Sequence, residues 1–299
     1  MDGFINVNKP LGKTSSDVVV YVRRRLPRGT RVGHGGTLDP EASGVLPVCV
    51  GGAARLFDYI IDKEKTYIAT LRLGIVTDTQ DAGGAVIQTR EVSARLEDVA
   101  RALPHFEGEI EQIPPMYSAI KKDGKRLYQL ARNGESVEIP ARKCRVYGIE
   151  LLEDLGDNRY KLRVRCGKGV YIRTLCHDIG AYLGCGGHMA SLERTAAGAF
   201  RIEDALTLEE IDALYQAGRL EEALTPMDYP IGHIPRIDVG VEHMHAVENG
   251  NPLRQSWIRC EVPEGPARIY IGGEFCGIGG KDADGLIRFR AMLLRRHGG

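Results

Sequence analysis

Apolar and charged residues alternate most cleanly in Arg159-Tyr160-Lys161-Leu162-Arg163-Val164-Arg165-Cys166. At the two-residue period of a strand, Tyr160, Leu162, Val164 and Cys166 face a core and the four basic residues share the other face. A second strand over 142–152 pairs with it around Gly156-Asp157. Further strands are predicted over 2–8, over 66–73 before Gly74, and through the apolar run 45–50. Asp81-Ala82-Gly83-Gly84 reads as a hairpin turn. Helical patterns run from Ser15 or Ser16 to about Leu26, where Pro27 stops them, and over 95–103, 124–132, 170–183 and 208–217. Strands interrupted by helices without a βαβ rhythm predict an α+β fold around a mixed or antiparallel sheet. Pro226, Pro230, Gly232 and Pro235 mark a linker. The expected division is therefore a large unit over 1–230 and a small β-rich unit over 236–299, with strand pieces at 267–271, 273–278 and 286–294. No internal repeat is visible.

Composition narrows the class. The 299 residues are 43% hydrophobic and 27% charged, which suits a soluble globular protein. No apolar run approaches the roughly 20 residues needed to span a bilayer. No secretion signal is read at the N-terminus, and seven cysteines without a C-x-x-C pair fit free thiols in a reducing cytoplasm. Net charge is zero, but its distribution is uneven. Residues 18–38 contain no acid and carry Arg23, Arg24, Arg25, Arg28 and Arg31. Residues 158–174 contain no acid and carry six basic residues, while acids gather over 203–228. A basic face with an acidic back suits a phosphate-bearing partner. The alternating strand 159–165 is open to two readings: an ordinary half-solvated strand, or a basic stripe at the rim of an RNA cleft.

Candidate chemistry centres on residues 33–51, Gly-His-Gly-Gly-Thr-Leu-Asp-Pro-Glu-Ala-Ser-Gly-Val-Leu-Pro-Val-Cys-Val-Gly. Glycines let backbone and ligand approach closely, and Pro40 biases Asp39 toward an extended conformation. A single acid on a stiff loop suits a catalytic group; an Asp between Gly and Pro also suits a simple turn. Gly12-Lys13-Thr14 is not a phosphate loop, because the first glycine of that motif would fall on Val7. Cys176-His177 and Cys185-x-x-His188 are two possible zinc pairs, but adjacent helical residues do not easily point at one metal, so no metal site is assigned.

Taken whole, G-H-G-G-T-L-D-P-x-A-x-G-V-L-P-V-C-V-G resembles the signature of RNA pseudouridine synthases of the bacterial tRNA pseudouridine-55 (TruB-type) family. The resemblance spans about residues 3–200. It implies a cofactor-free isomerisation of uridine to pseudouridine, on a base flipped out of its stack. It makes Asp39 the catalytic carboxylate, Tyr67 in K-T-Y-I-A-T-L-R-L-G the residue stacked on the base, and Arg173 in K-G-V-Y-I-R-T-L the arginine paired with Asp39. A two-pronged buried pair would keep Asp39 ionised and aimed. Tyr171 is expected to line the pocket, and Lys9 in N-V-N-K-P-L-G-K-T-S to support its floor. Leu192 and the run Arg194-Thr195-Ala196-Ala197-Gly198 match the family's last catalytic motif. His34 is implied to stack in the RNA where the flipped base has left.

The segment from Ile113, with G-K-R-L-Y-x-L-A-R-x-G, resembles an insertion of the bacterial enzymes that grips the T-arm of tRNA and that guide-RNA-dependent relatives lack. Placed at about 113–145, it offers Lys121, Lys122, Lys125, Arg126 and Arg132 to phosphates. The implied partner is tRNA; no obligatory protein partner is expected, and the chain should act as a cytoplasmic monomer. The C-terminal unit loosely resembles a PUA RNA-binding module. Two other functional classes suit these residues less well. A glycoside hydrolase normally needs two carboxylates, and the matched motifs hold one. A non-catalytic RNA-binding or RNA-folding protein would have no need of Asp39, Tyr67 and Arg173 together.

Overall fold

The computed structural model describes residues 1–61, 63–115, 121–122, 125–126, 139–258 and 260–294. Strands β1 (Gly3–Lys9), β2 (Val32–His34), β3 (Ala42–Val50), β4 (Lys65–Leu73), β5 (Ile75–Thr77) and β6 (Val86–Thr89) come first. Strands β7 (Gly108–Gln112), β8 (Lys121–Lys122), β9 (Lys125–Arg126), β10 (Arg142–Gly156), β11 (Arg159–Cys166), β12 (Gly187–Ala197) and β13 (Phe200–Arg201) follow. The helices among them are α1 (Ser15–Arg23), α2 (Phe57–Ile61), α3 (Leu96–Ala102), α4 (Ile172–Tyr182) and α5 (Leu208–Gln216).

One nine-stranded sheet runs β1-β3-β12-β4-β11-β10-β7, with β2 also on β3 and β13 also on β12. Every pair is antiparallel except β12 with β3, so the sheet is mixed, as the pattern predicted. Strand β12 is central, and its sequence Gly-His-Met-Ala-Ser-Leu-Glu-Arg-Thr-Ala-Ala carries too little alternation to be read as a strand. Gly44 makes its junction with β3 possible. Gly44 has φ +102°, and a Cβ there would lie 2.3 Å from the Arg194 carbonyl oxygen. Only glycine tolerates both the backbone angle and that approach.

Several boundaries differ from the sequence reading for local reasons. Thr14 caps α1 in a reciprocal box with Asp17, one residue before the serines, and α1 ends at Arg23. The β10–β11 turn falls at Asp157 and Asn158, whose φ values of +51° and +59° are those of a tight hairpin turn. The expected helix over 124–132 is not seen at 125–126, which pair with 121–122 as a two-stranded ribbon. The rest of that helix, and Arg132, lie outside the described residues.

Residues on both sides of the sheet form its cores. Helix α4 packs Leu175 and Ile179 against Ala69, Leu71, Leu162 and Val164. Helices α1 and α5 cover β1 and β3 through Val18, Val22, Leu208 and Ile211. A second sheet is made of β14 (Arg236–Val239), β15 (Ala267–Ile271), β16 (Glu274–Lys281) and β17 (Ile287–Met292), with the short helix α6 (Met244–Glu248) between β14 and β15, and it has its own core. Ile278 and Ala291 of this sheet join Phe4, Cys49 and Leu56 of the larger unit in one cluster. Among the described residues no helix is long and apolar enough to cross a membrane.

The basic stripe of β11 resolves in favour of an ordinary solvated strand. Arg159 pairs with Asp157, Lys161 with Glu153, Arg163 with Glu150 and Arg165 with Glu64. Two of these acids, Glu150 and Glu153, lie on the neighbouring strand β10, out of sight of a pattern read along one strand.

Replacing Gly44 by alanine should destabilise the protein by more than about 2 kcal/mol in urea unfolding, because backbone strain and a backbone clash combine. An unchanged midpoint would show that β3 and β12 do not depend on this contact.

Candidate active site

Strand β3 is bordered along one edge by β1 and along the other first by β12 and then by β2. Residues 35–41 connect β2 to β3 where that second edge changes partner, and Asp39 sits in this loop. The loop is tied down on several sides. The Ser15 hydroxyl donates to the Leu38 carbonyl at 3.0 Å and accepts the Leu38 N–H at 2.9 Å. Arg194, 1% exposed, donates to the carbonyls of Val45 at 2.7 Å, Gly36 at 3.1 Å and Thr37 at 3.5 Å. The Gly12 N–H donates to the Pro40 carbonyl at 2.8 Å. Lys9, fully buried, donates to the carbonyls of Pro10 and Lys13 at 3.0 and 2.6 Å. Burial holds the Lys9 pKa down at about 8, against the attraction of Asp39. Lys9 thus supports the neighbouring turn and is not among the residues lining the cleft.

Arg173 is the second residue of α4, after the N-cap Tyr171 and Ile172. A cation in the first turn opposes the helix dipole. Two carboxylates offset it. Nη2 of Arg173 lies 2.9 Å from Asp39 Oδ2, and Nη1 lies 3.5 Å from Asp81 Oδ2. Nη1 also donates to the Thr79 carbonyl at 3.3 Å. The guanidinium therefore serves two acids, Asp39, which the family resemblance implies as its partner, and Asp81, which it does not. The Arg173 side chain is 5% exposed and that of Asp39 40%, so the acid is reachable and its partner is not.

Asp81 was read from sequence only as part of a turn. It does make one: Oδ1 accepts from the Thr79 hydroxyl at 2.6 Å and the Gly83 N–H at 3.1 Å. Its other oxygen faces Arg173, which a turn motif does not announce. The turn needs Gln80 at φ +63°, an uncommon angle for a residue with a side chain.

Tyr67 lies in the middle of β4, directly opposite Arg194 of β12. Residues so paired project on the same face. Burial pushes the pKa of the Tyr67 phenol up, against the pull of the Arg194 guanidinium. Burial likewise raises the Asp39 pKa; Arg173 pulls it down and Asp81 pushes it up. Asp39 and Tyr67 open into a cleft of about 660 Å³, walled by Tyr171, Arg173, Leu192 and Arg194 and edged by Lys65, Arg142 and Lys168. Sequence motifs 150 residues apart thus meet within one cavity. Arg194 was recognised only as part of a motif; its role as a belt around the Asp39 loop depends on carbonyls that carry no sequence signal.

His34 lies on β2, pairs with Val48, and is absent from the cleft lining. Its Nδ1 is buried without a hydrogen-bond partner, and burial lowers its pKa. Lys121, Lys122 and Arg126 are described by backbone alone. The possible zinc residues are used otherwise: burial pushes the Cys176 thiol up to about 12, and His188 Nδ1 lies 2.9 Å from the Ile75 carbonyl oxygen. Among the described residues no three metal-ligating side chains converge.

Comparison with known proteins matches residues 23–172 to the TruB family pseudouridylate synthase N-terminal domain, half of the chain. The chain belongs to the TruB family of pseudouridylate synthases. Residues 173–231 match the tRNA pseudouridylate synthase B C-terminal domain. The tRNA pseudouridine synthase B of Alkaliphilus oremlandii is 43% identical over 282 residues, 93% of each chain. That of Dehalococcoides mccartyi is 42% identical over 298 residues, 99% of this chain and 98% of the other. The crystal structure of a Cbf5–Nop10–Gar1 complex superposes with a TM-score of 0.74 at 27% identity, covering 98% of this chain and 85% of that one. An H/ACA RNP bound to a substrate RNA containing 2′-deoxyuridine gives 0.74 at 26%, covering 99% and 86%. These TruB relatives bracket the whole chain, including the second sheet that the two domain models leave unmatched.

The raised Asp39 pKa carries a stability consequence. Protonated Asp39 suits the fold, so its contribution is present at acidic pH and is lost as pH rises through the folded-state value. Asp39→Asn removes that loss. Its Tm should exceed wild type at pH 7, and the gap should close below about pH 4. A lower Tm at pH 7 would contradict the raised pKa.

Proposed function

We propose that this chain is a tRNA pseudouridine synthase that isomerises the uridine at position 55, in the T-loop of tRNA, to pseudouridine. The observation that carries the reading is Asp39, reachable from a cleft of nucleoside size and held from behind by buried Arg173. Sequence relatives at 42–43% identity over nearly the whole chain, named tRNA pseudouridine synthase B, support tRNA as the substrate over a guide-RNA complex. The insertion near 113–145, with Lys121, Lys122, Arg126 and Arg132, is the proposed grip on the T-arm. His34 is assigned to the gap left by the flipped base.

The residues divide the work as follows. The target uridine leaves its stack and enters the cleft. Tyr67 and Leu192 hold the base, with Tyr171 beside it. Asp39 meets the sugar while Arg173 holds Oδ2. The N1–C1′ bond breaks, the detached base turns within the cleft, and a C5–C1′ bond forms. C5 releases a proton and N1 gains one, so the change is an isomerisation that consumes no redox equivalent and calls for no cofactor. Residues 1–230 supply this chemistry, and residues 236–299 are read as a PUA-like RNA-binding module. The enzyme is taken to work as a cytoplasmic monomer.

The test is tritium release from a tRNA transcript labelled at uridine C5. Wild type should release tritium without added cofactor or metal, and replacing the T-loop uridine by cytidine should remove that release. Asp39→Asn should release only background while binding tRNA within about threefold of wild type; near-normal turnover would overturn the assignment of Asp39. Arg173→Lys should lose at least about a hundredfold in single-turnover rate, because one ammonium cannot serve Asp39 and Asp81 as a planar fork does. Tight binding without any release would favour an RNA-folding protein.

A further inference from the structure

Helix α4 begins without a side-chain cap of its own: its N-cap, Tyr171, makes no capping hydrogen bond. The start of the helix is held from elsewhere. Gln112, 3% exposed, accepts the Tyr171 N–H at its Oε1 at 2.9 Å. Its Nε2 donates to the Tyr171 carbonyl oxygen at 3.3 Å. That carbonyl also receives the first helical hydrogen bond, from the Leu175 N–H at 3.0 Å. One amide side chain thus imitates a strand partner for a single residue, and that residue starts the helix whose second position is Arg173.

Gln112 is also the last residue of β7, paired with Arg142, the first residue of β10. The Gln112–Arg142 pair closes the neck of segment 113–141, and Arg142 itself edges the cleft. The clamp therefore joins the root of that segment to the wall of the active site. An apolar residue of the same size would fill the space but remove both Gln112 hydrogen bonds to the Tyr171 backbone and leave the helix start free to shift. Displacements of an ångström at a catalytic group cost large factors in rate.

We infer that Gln112 is a positioning residue for the isomerisation, setting Arg173 through the backbone of Tyr171 from the neck of the RNA-gripping segment. This rests on the function proposed above. Gln112→Met removes both hydrogen bonds at similar volume; Gln112→Glu keeps the acceptor and loses the donor. Hydrogen exchange of the peptide spanning 168–175 reads the clamp without any substrate, and single-turnover tritium release reads its effect on the reaction. The methionine variant should exchange faster there, and at saturating tRNA should lose about tenfold in rate with Kd within threefold of wild type. The glutamate variant should fall between them. Unchanged exchange would overturn the clamp. Faster exchange with an unchanged rate, or a loss of rate that merely follows a loss of Kd and Tm, would overturn the positioning role. Should the methionine variant not fold, the same criteria apply to Gln112→Glu, where a wild-type rate and exchange overturn the inference. An inactive wild type would refute the proposed function, while the exchange measurement would still judge the clamp.

Discussion

Arg173 is a buried cation in the first turn of a helix, where the backbone itself repels it. Two carboxylates, Asp39 and Asp81, keep it there. The three charges sum to one excess negative charge in a site that burial makes hostile to carboxylates. That tension gives Asp39 its character. Oδ2 is held by Arg173, the residue lines the cleft, and the group sits above its ordinary pKa without losing its ion pair. An acid so placed is less solvated than a surface carboxylate and more tightly aimed than a loop residue.

The surrounding structure exists to hold these three groups in register. Ser15 and Arg194 fasten the loop of Asp39 through its carbonyls and one N–H. The turn of Asp81 is wound through Gln80 in a left-handed conformation. Gln112 fastens the start of α4. The first and third of these supports draw on distant strands or helices, so the site leans on rigid elements beyond the loops that carry its residues. Arg194 serves twice, bonding the Asp39 loop and setting a positive charge against the Tyr67 phenol, and so couples the acid to the aromatic wall.

Charge on the surface obeys a different logic. The β11 stripe suggests a phosphate-binding face along the strand, yet each of its bases meets an acid, two of them across the β10–β11 hairpin. Pairing of this kind adds little stability at exposed positions. It does cancel the local field, and the cationic character of the cleft edge comes instead from Lys65, Arg142 and Lys168.

Much was legible in the residues alone. The alternating and helical periods of 66–73, 159–166, 172–182 and 208–216 are local properties, and each yielded its element because every turn or pleat repeats the same burial choice. The long motif around Asp39, with the short ones at Tyr67 and Arg173, was enough to name a family and its chemistry. Strand β12 was not legible, since a central strand of small and charged residues draws its identity from neighbours on both sides. Nor were Asp81, Arg194 or Gln112 as supports of the site. Their partners are backbone carbonyls and a guanidinium contributed by residues far away in the chain, and a carbonyl looks the same at every position of a sequence. The sequence by itself determined the strongly periodic elements and the family to which the chain belongs. Only the tertiary structure decided how Arg173 is divided, which acid stands behind it and what anchors its helix, because those depend on distances that exist only once the sheet has closed.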